Sequence, residues 1–264
     1  MKKVLICVFT LSFYSLGQAQ TIKTDRPDQT EASSTVPVKS LQIESGFQFS
    51  SNGTSRAFQG TAYSGADRQI LAPTNLFRVG ITKQIELRVL SQIELNSTFN
   101  PRVNKSPYRS YMSDLEVGTK VQIYQKEGAK TEVAFLTHLG LPTGSESTSA
   151  GELYSISKLC ISHKITDGFS IGYNVGYNTI QSIDDVFYSS SFGFSLTDKL
   201  SVYCEPYGLI NVNKIARAGV GDQYNFDAGF TYLLNNNTQL DWSFGSGINH
   251  DMNYVAAGCS WLIK

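Results

Sequence analysis

The stretch Phe169-Ser170-Ile171-Gly172-Tyr173-Asn174-Val175-Gly176-Tyr177-Asn178 sets large apolar residues on alternate positions, with only Ser, Gly and Asn between them. Successive side chains of a strand point to opposite faces, so this segment is a strand with one apolar face and one wet face. The same alternation recurs from Leu41 almost to Lys264. It marks about twelve strands, an even number as single-chain bacterial barrels require. They cover about 39–51, 75–82, 85–95, 114–124, 131–141, 155–165, 169–178 and 186–196, one from 200, and three more around 224–232, 240–248 and 255–263.

The spacers carry a second signal. Thr82-Lys83-Gln84, Thr166-Asp167-Gly168, Thr197-Asp198-Lys199 and Asn235-Asn236-Asn237 are short and rich in residues that tolerate tight turns. Between them lie longer spacers at 52–74, 96–113, 142–154, 179–185 and 213–221, with a brief one near His250. Short and long alternate, as in transmembrane barrels with short periplasmic turns and long outer loops. The fold expected is all-β: an up-and-down antiparallel transmembrane β-barrel. Trp242 and Trp261 fall on the apolar face near the short-turn end, where an interfacial aromatic belt would sit. A secreted soluble β-sandwich is the competing reading, but its strands would be shorter and its loops less regularly segregated.

The N-terminus reads as an export signal. Lys2 and Lys3 precede an apolar run over 4–16, followed by Gly17-Gln18-Ala19-Gln20. The run is shorter than the roughly 20 residues of a spanning helix. The expected division is a signal peptide over 1–19, an extended polar segment over 20–38 and the barrel over 39–264. Removing 1–19 takes away two lysines and no acid, which moves the net charge from 0 to −2. That balance speaks against a nucleic-acid partner. Cys160, Cys204 and Cys259 remain, each alone in a strand-like stretch, and do not form a disulfide framework.

If the apolar face meets lipid, its neighbours face the lumen. By parity these are Glu44, Arg78, Glu86, Arg88, Glu94, Asp114, Glu116, Lys120, Glu132, His138, Lys158, Lys164, Glu205, Asp227 and Asp241. Gly172 and Gly176 make the wall small in the 169–178 strand, and a path is expected to run past it. The charged set is either a polar pathway that biases what enters or a filling of mutually paired side chains. A twelve-strand lumen lies between the filled and the water-filled sizes. Catalysis has little support: His138, His163 and His250 show no metal-ligand spacing, and adjacent Ser162 and His163 point to opposite faces. No enzyme, cofactor or metal is expected.

The run Thr24-Asp25-Arg26-Pro27-Asp28-Gln29-Thr30-Glu31-Ala32-Ser33-Ser34-Thr35-Val36-Pro37-Val38, leading into Leu41-Gln42-Ile43-Glu44-Ser45-Gly46-Phe47, resembles the start of an outer-membrane barrel family labelled for a MetA-pathway of phenol degradation. Lys39 stands where relatives often carry glycine. The resemblance implies an outer-membrane barrel that passes small, hydrophobic or aromatic compounds; the label does not establish phenol as a substrate. It also draws attention to Asp25, Arg26, Pro27, Asp28 and Glu31. This segment is expected to fold back into the periplasmic mouth as a plug and pair with Arg78, Arg88 or Lys120. The alternative is a recognition segment for periplasmic chaperones or assembly machinery. The function expected is a passive channel for small solutes, monomeric, with outer-membrane lipid and the barrel-assembly machinery as partners. The alternative is a non-conducting structural or adhesive barrel.

Overall fold

A computed structural model describes residues 22–58, 60–103, 107–126, 128–180, 183–212 and 221–264. The expected signal peptide and most of the 213–221 spacer lie outside these residues. The strands are β1 (Leu41–Phe58), β2 (Thr61–Gly80), β3 (Ile85–Ser97), β4 (Arg109–Met112), β5 (Leu115–Tyr124), β6 (Thr131–Leu141) and β7 (Tyr154–Lys164). They continue with β8 (Phe169–Ile180), β9 (Ile183–Ser195), β10 (Leu200–Asn211), β11 (Gln223–Asn235), β12 (Thr238–Gly247) and β13 (Met252–Ile263). All pair antiparallel with their sequence neighbours, except that β3 pairs onward with β5. β1 pairs with β13 from Leu41↔Ile263 to Asn52↔Met252 and closes a 12-strand barrel. β4 is the extra strand, a short flap on the outer half of β3.

The alternation read from sequence becomes an inside and an outside. Exposed Phe47, Leu87, Leu139, Val175, Phe244 and Val255 form an apolar belt around the barrel. Buried Arg78, Glu86, Lys120, Glu205, Asp227 and Asp241 point inward. A soluble protein does not expose so continuous an apolar belt, and a closed barrel leaves no backbone edge for lipid to desolvate. The fold is therefore a transmembrane β-barrel of the outer-membrane kind. Trp242 and Trp261 lie on the belt towards the short turns, with Trp242 stacked on Phe230 at 4.9 Å.

Three spacers differ from expectation. Residues 52–74 were expected to be a loop, but β1 and β2 continue through them as a paired hairpin, Asn52↔Asp67 to Phe58↔Thr61. Above the belt both faces meet water, so the hydrophobic alternation that reveals a strand is lost there. Within the hairpin, Pro73 sits at a register shift against both neighbouring strands, where a missing N–H is tolerated. The 96–113 spacer contains β4. The 179–185 spacer is a tight connection, because β8 runs to Ile180 and β9 starts at Ile183. Asp184 and Asp185 have turn chemistry but stand in a strand, and Asp185 is buried.

Val175 is 51% exposed at the middle of β8. Replacing it with arginine should destabilise the barrel by about 2–4 kcal/mol, measured by denaturant unfolding in phospholipid vesicles. A loss below about 0.5 kcal/mol, typical of a water-exposed site, would remove Val175 from the hydrocarbon.

Candidate functional site

The lumen is occupied by the chain's own residues 22–38. The segment enters from the short-turn end, where the Ile22 amide donates to Asn236 O at 2.8 Å. It returns to the same end, where the Thr35 hydroxyl donates to Lys83 O at 3.0 Å. Among the described residues it has no sheet partner apart from a bridge of Val38 to Gly80. Wall side chains take the place of a ladder. The Asp25 amide donates to Glu44 at 3.0 Å, Gln29 to Glu205 at 2.7 Å, Glu31 to Asn174 at 2.7 Å and Val36 to Glu86 at 2.8 Å.

One side of the segment meets a cationic belt. β2, β3, β5 and β7 point Arg78, Arg88, Lys120 and Lys158 inward. Arg78 and Arg88 stand directly opposite each other, an unfavourable placement for like charges unless anions lie between them. The wall supplies Glu44 and Glu86. Arg78 binds Glu86 through two nitrogens, at 2.9 and 3.1 Å, and Glu44 at 2.8 Å. The segment supplies Asp25 and Glu31. Asp25 pairs with Arg88 at 2.5 Å and Lys120 at 2.8 Å, and Glu31 with Arg88 at 2.8 Å and Lys158 at 2.9 Å. Four cations thus meet two wall carboxylates and two segment carboxylates, and the buried belt is neutral. Burial alone would raise both segment carboxyls. The surrounding cations outweigh it and hold Asp25 well below the usual carboxylate range and Glu31 down to about 2.

The belt extends into a hydrogen-bonded relay. Arg88 Nε donates to His138 Nε2 at 2.9 Å, which places the histidine hydrogen on Nδ1, facing Glu116 Oε2 at 2.8 Å. Tyr154 OH donates to the other Glu116 oxygen at 3.1 Å.

The other side of the segment meets acids. Glu205 and Asp227 face each other across β10 and β11. Glu205 accepts the Gln29 amide and the Thr30 hydroxyl, and Asp227 accepts Tyr254 OH at 2.5 Å. Arg26 is held apart from them by Asp241 at 3.1 Å. Its guanidinium lies over Gly46 and Gly258, where any Cβ would overlap it. Residues 26–31 separate two cavities. The outer one, about 310 Å³, has Leu76, Leu90, Leu136 and Ile156 on its walls and Arg88, Lys158 and Gln29 on its floor. The inner one, about 210 Å³, runs along a small-residue wall of Ser162, Ser170, Gly172, Ser191 and Gly193.

The remaining candidates distribute along the barrel. Asp114 accepts the Gly144 and Ala150 amides and fastens an outer loop. Glu94 binds Ser113 and Gln69 above the belt. Glu132 meets Lys23 at 3.5 Å at the inner mouth, and Lys164 pairs with Asp167 in an exposed turn. Gly172 borders the inner cavity, and a Cβ there would lie 2.9 Å from the Thr30 methyl. Gly176 does not open the wall, because the Phe187 ring occupies the space above it and Lys158 sits 5.1 Å over that ring. Sequence reasoning missed the uncharged participants: Gln42, Asn174, Ser191, Tyr203, Tyr254 and the inward leucines. Their inward parity was the signal that could have found them. Among the described residues no group of His, Cys, Asp and Glu could hold a metal ion.

A closed barrel with an apolar belt and a polar, occupied lumen defines an outer-membrane barrel protein. The chain belongs to the family described as "Putative MetA-pathway of phenol degradation", which it matches over residues 24–260. No functionally curated protein matches it in sequence. Its fold is similar to that of the COG4313 outer membrane channel from Pseudomonas putida F1, at 12% identity and a TM-score of 0.67, covering 91% of this chain and 100% of that one. It is also similar to the KdgM porin, at 8% identity and a TM-score of 0.53, covering 83% and 98% of the two chains. The NanC porin shares 8% identity and a TM-score of 0.53, covering 84% and 98%. These neighbours are channels and porins.

Asp25 and Glu31 titrate lower when seated, so they hold the segment fully above the ordinary carboxylate range and lose their grip as pH falls. For Glu31 the window runs from 4.5 down to about 2. Hydrogen exchange of residues 24–36, corrected for the intrinsic rate, should show protection at pH about 5 that is lost towards about pH 2. Asp25→Asn breaks buried pairs worth about 3–5 kcal/mol and should lose that protection already at the upper end.

Proposed function

We propose that this protein is a passive outer-membrane channel for small solutes whose inner half is closed by its own N-terminal segment. The observation that carries this reading is the position of residues 26–31 between the two lumen cavities. The outer cavity suits a small molecule with an apolar or aromatic body. Its leucine and isoleucine walls would hold that body, and its charged floor would meet a polar end. The family description names phenol degradation; it supports an aromatic class of solute and assigns none to this chain. Chemistry on the solute is not part of the reading. His138 is tied between Arg88 and Glu116, and His163 Nδ1 is bonded to Thr131 at 2.8 Å, so neither addresses a nucleophile. The protein works as a monomer in outer-membrane lipid, placed there by the barrel-assembly machinery. A non-conducting structural barrel is the reading to defeat.

Deleting residues 24–37 should raise single-channel conductance in planar bilayers, with heat-modifiable gel migration confirming an intact barrel. Unchanged conductance would overturn the plug. The double variant Asp25→Asn/Glu31→Gln, which unseats the segment without shortening the chain, should raise it in the same direction.

In the deletion variant, Gly172→Leu should slow liposome swelling by small aromatic acids. Gly176→Leu should instead disturb the Phe187 packing and lower barrel stability. Equal swelling rates for Gly172→Leu and its parent would move the path away from β8.

A further inference from the structure

The tip of the segment rests on a cluster of carboxyls without a counter-charge. Glu205 of β10 and Asp227 of β11 stand directly opposite each other. Asp28 lines the inner cavity with Ser191 of β9 and Tyr203 of β10, and feels the charge of both acids. The titratable neighbours are Tyr203 and Tyr207 of β10 and Tyr254 of β13. Among the described residues no cation reaches this cluster. Arg26 is engaged by Asp241 of β12, and the four cations of the belt are engaged by Asp25, Glu31, Glu44 and Glu86. Carboxyls this close cannot all ionise in a low-dielectric lumen.

A second observation points into the same place. Among the described residues the Tyr203 hydroxyl has no hydrogen-bond partner, although the residue is only 8% exposed, and Tyr203 lines the inner cavity together with Asp28. The three carboxyls do not converge as a metal site would. What the cluster lacks is positive charge, and the smallest ligand that supplies it is the proton.

We propose that Asp28, Glu205 and Asp227 form a proton-binding site that latches the segment across the lumen: shared protons hold the tip to the wall, and their loss to water in the inner cavity releases it. Asp28 borders both cavities, so water reaches it. Even so, burial within the barrel, followed by the charges of Glu205 and Asp227, holds its carboxyl well above the usual range. A carboxyl raised in the seated state binds its proton more tightly there. The latch is complete at acid pH and is lost as pH rises from the ordinary carboxylate range through that of seated Asp28. This is opposite in sign to the belt, whose pairs are complete above about pH 4.5.

The inference rests on the plug reading, and its test separates the two. Hydrogen exchange of residues 24–36 in the full chain is followed in phospholipid vesicles from about pH 5 to about pH 9, above the ordinary carboxylates and below tyrosine. With intrinsic rates divided out, protection should fall about tenfold per pH unit for each proton released, while barrel-strand amides stay constant. Asp28→Asn, which alters no strand, should flatten the profile, and Glu205→Gln should do the same. A flat wild-type profile, or a wild-type slope in Asp28→Asn, overturns the latch. A flat profile together with a conductance gain on deletion keeps the plug and removes the latch. A sloped profile with unchanged conductance on deletion keeps the proton-dependent seating of the tip but overturns the plug, and with it the latch as a closure of the lumen.

Discussion

The structure depends on charge neutrality inside a narrow barrel. Arg78, Arg88 and Lys120 are buried almost completely, and an ion that leaves water without partners costs several kcal/mol. Among the described residues the wall answers these cations and Lys158 with only Glu44 and Glu86. Asp25 and Glu31 complete the set, and both come from a segment that belongs to no strand. The barrel wall is therefore electrostatically unfinished without residues 22–38. A lumen of this kind does not tolerate an empty state with the same ionisation; either the segment is seated or water and counter-ions must enter.

The membrane imposes the complementary constraint from outside. Every inward charge has an outward apolar neighbour one residue away, because the strand period gives no other choice. This made most of the fold legible. The alternation of 169–178 repeats in β1, β3 and β13, and the short turns around Lys83, Asp167, Asp198 and Asn236 mark the periplasmic end. The outer half of the β1–β2 hairpin was not legible for the same reason: beyond the belt no face meets lipid, so Ser, Gly, Thr and Arg occupy both. β4 pairs over only four residues, too short for periodicity to declare itself.

The site was legible where it is charged and obscure where it is not. Parity placed Glu44, Arg78, Arg88, Lys120 and Glu205 inward, and the family resemblance drew attention to the charges and proline of 25–31. Parity alone did not reveal what fills the space between. Gly176 reads as an opening until Phe187, its cross-strand partner, is seen lying over it. Leu76, Leu90, Leu136 and Ile156 read as exceptions to the pattern, yet together they give the outer cavity its apolar walls. Nor does a sequence show which acids have cations beside them. Asp25 and Asp28 are three positions apart with opposite surroundings, one ringed by three cations and the other facing two carboxyls.

The way the segment is held also explains how it could leave. A strand added to a sheet edge would exchange a ladder of backbone bonds that does not respond to pH. Here the amides of Asp25, Gln29 and Val36 donate to carboxylates of the wall, and that of Glu31 to an asparagine. Every one of those amides can pass to water on release, so none is left buried and unpaired. The strength of seating then follows the ionisation of side chains rather than the backbone. Its two halves respond with opposite sign, because one is saturated with cations and the other has none. A segment gripped only by the cationic belt would loosen in acid alone. On the proposed reading, an unbalanced carboxyl cluster at the tip confines firm seating to a window and makes the segment a closure that the surrounding pH can set.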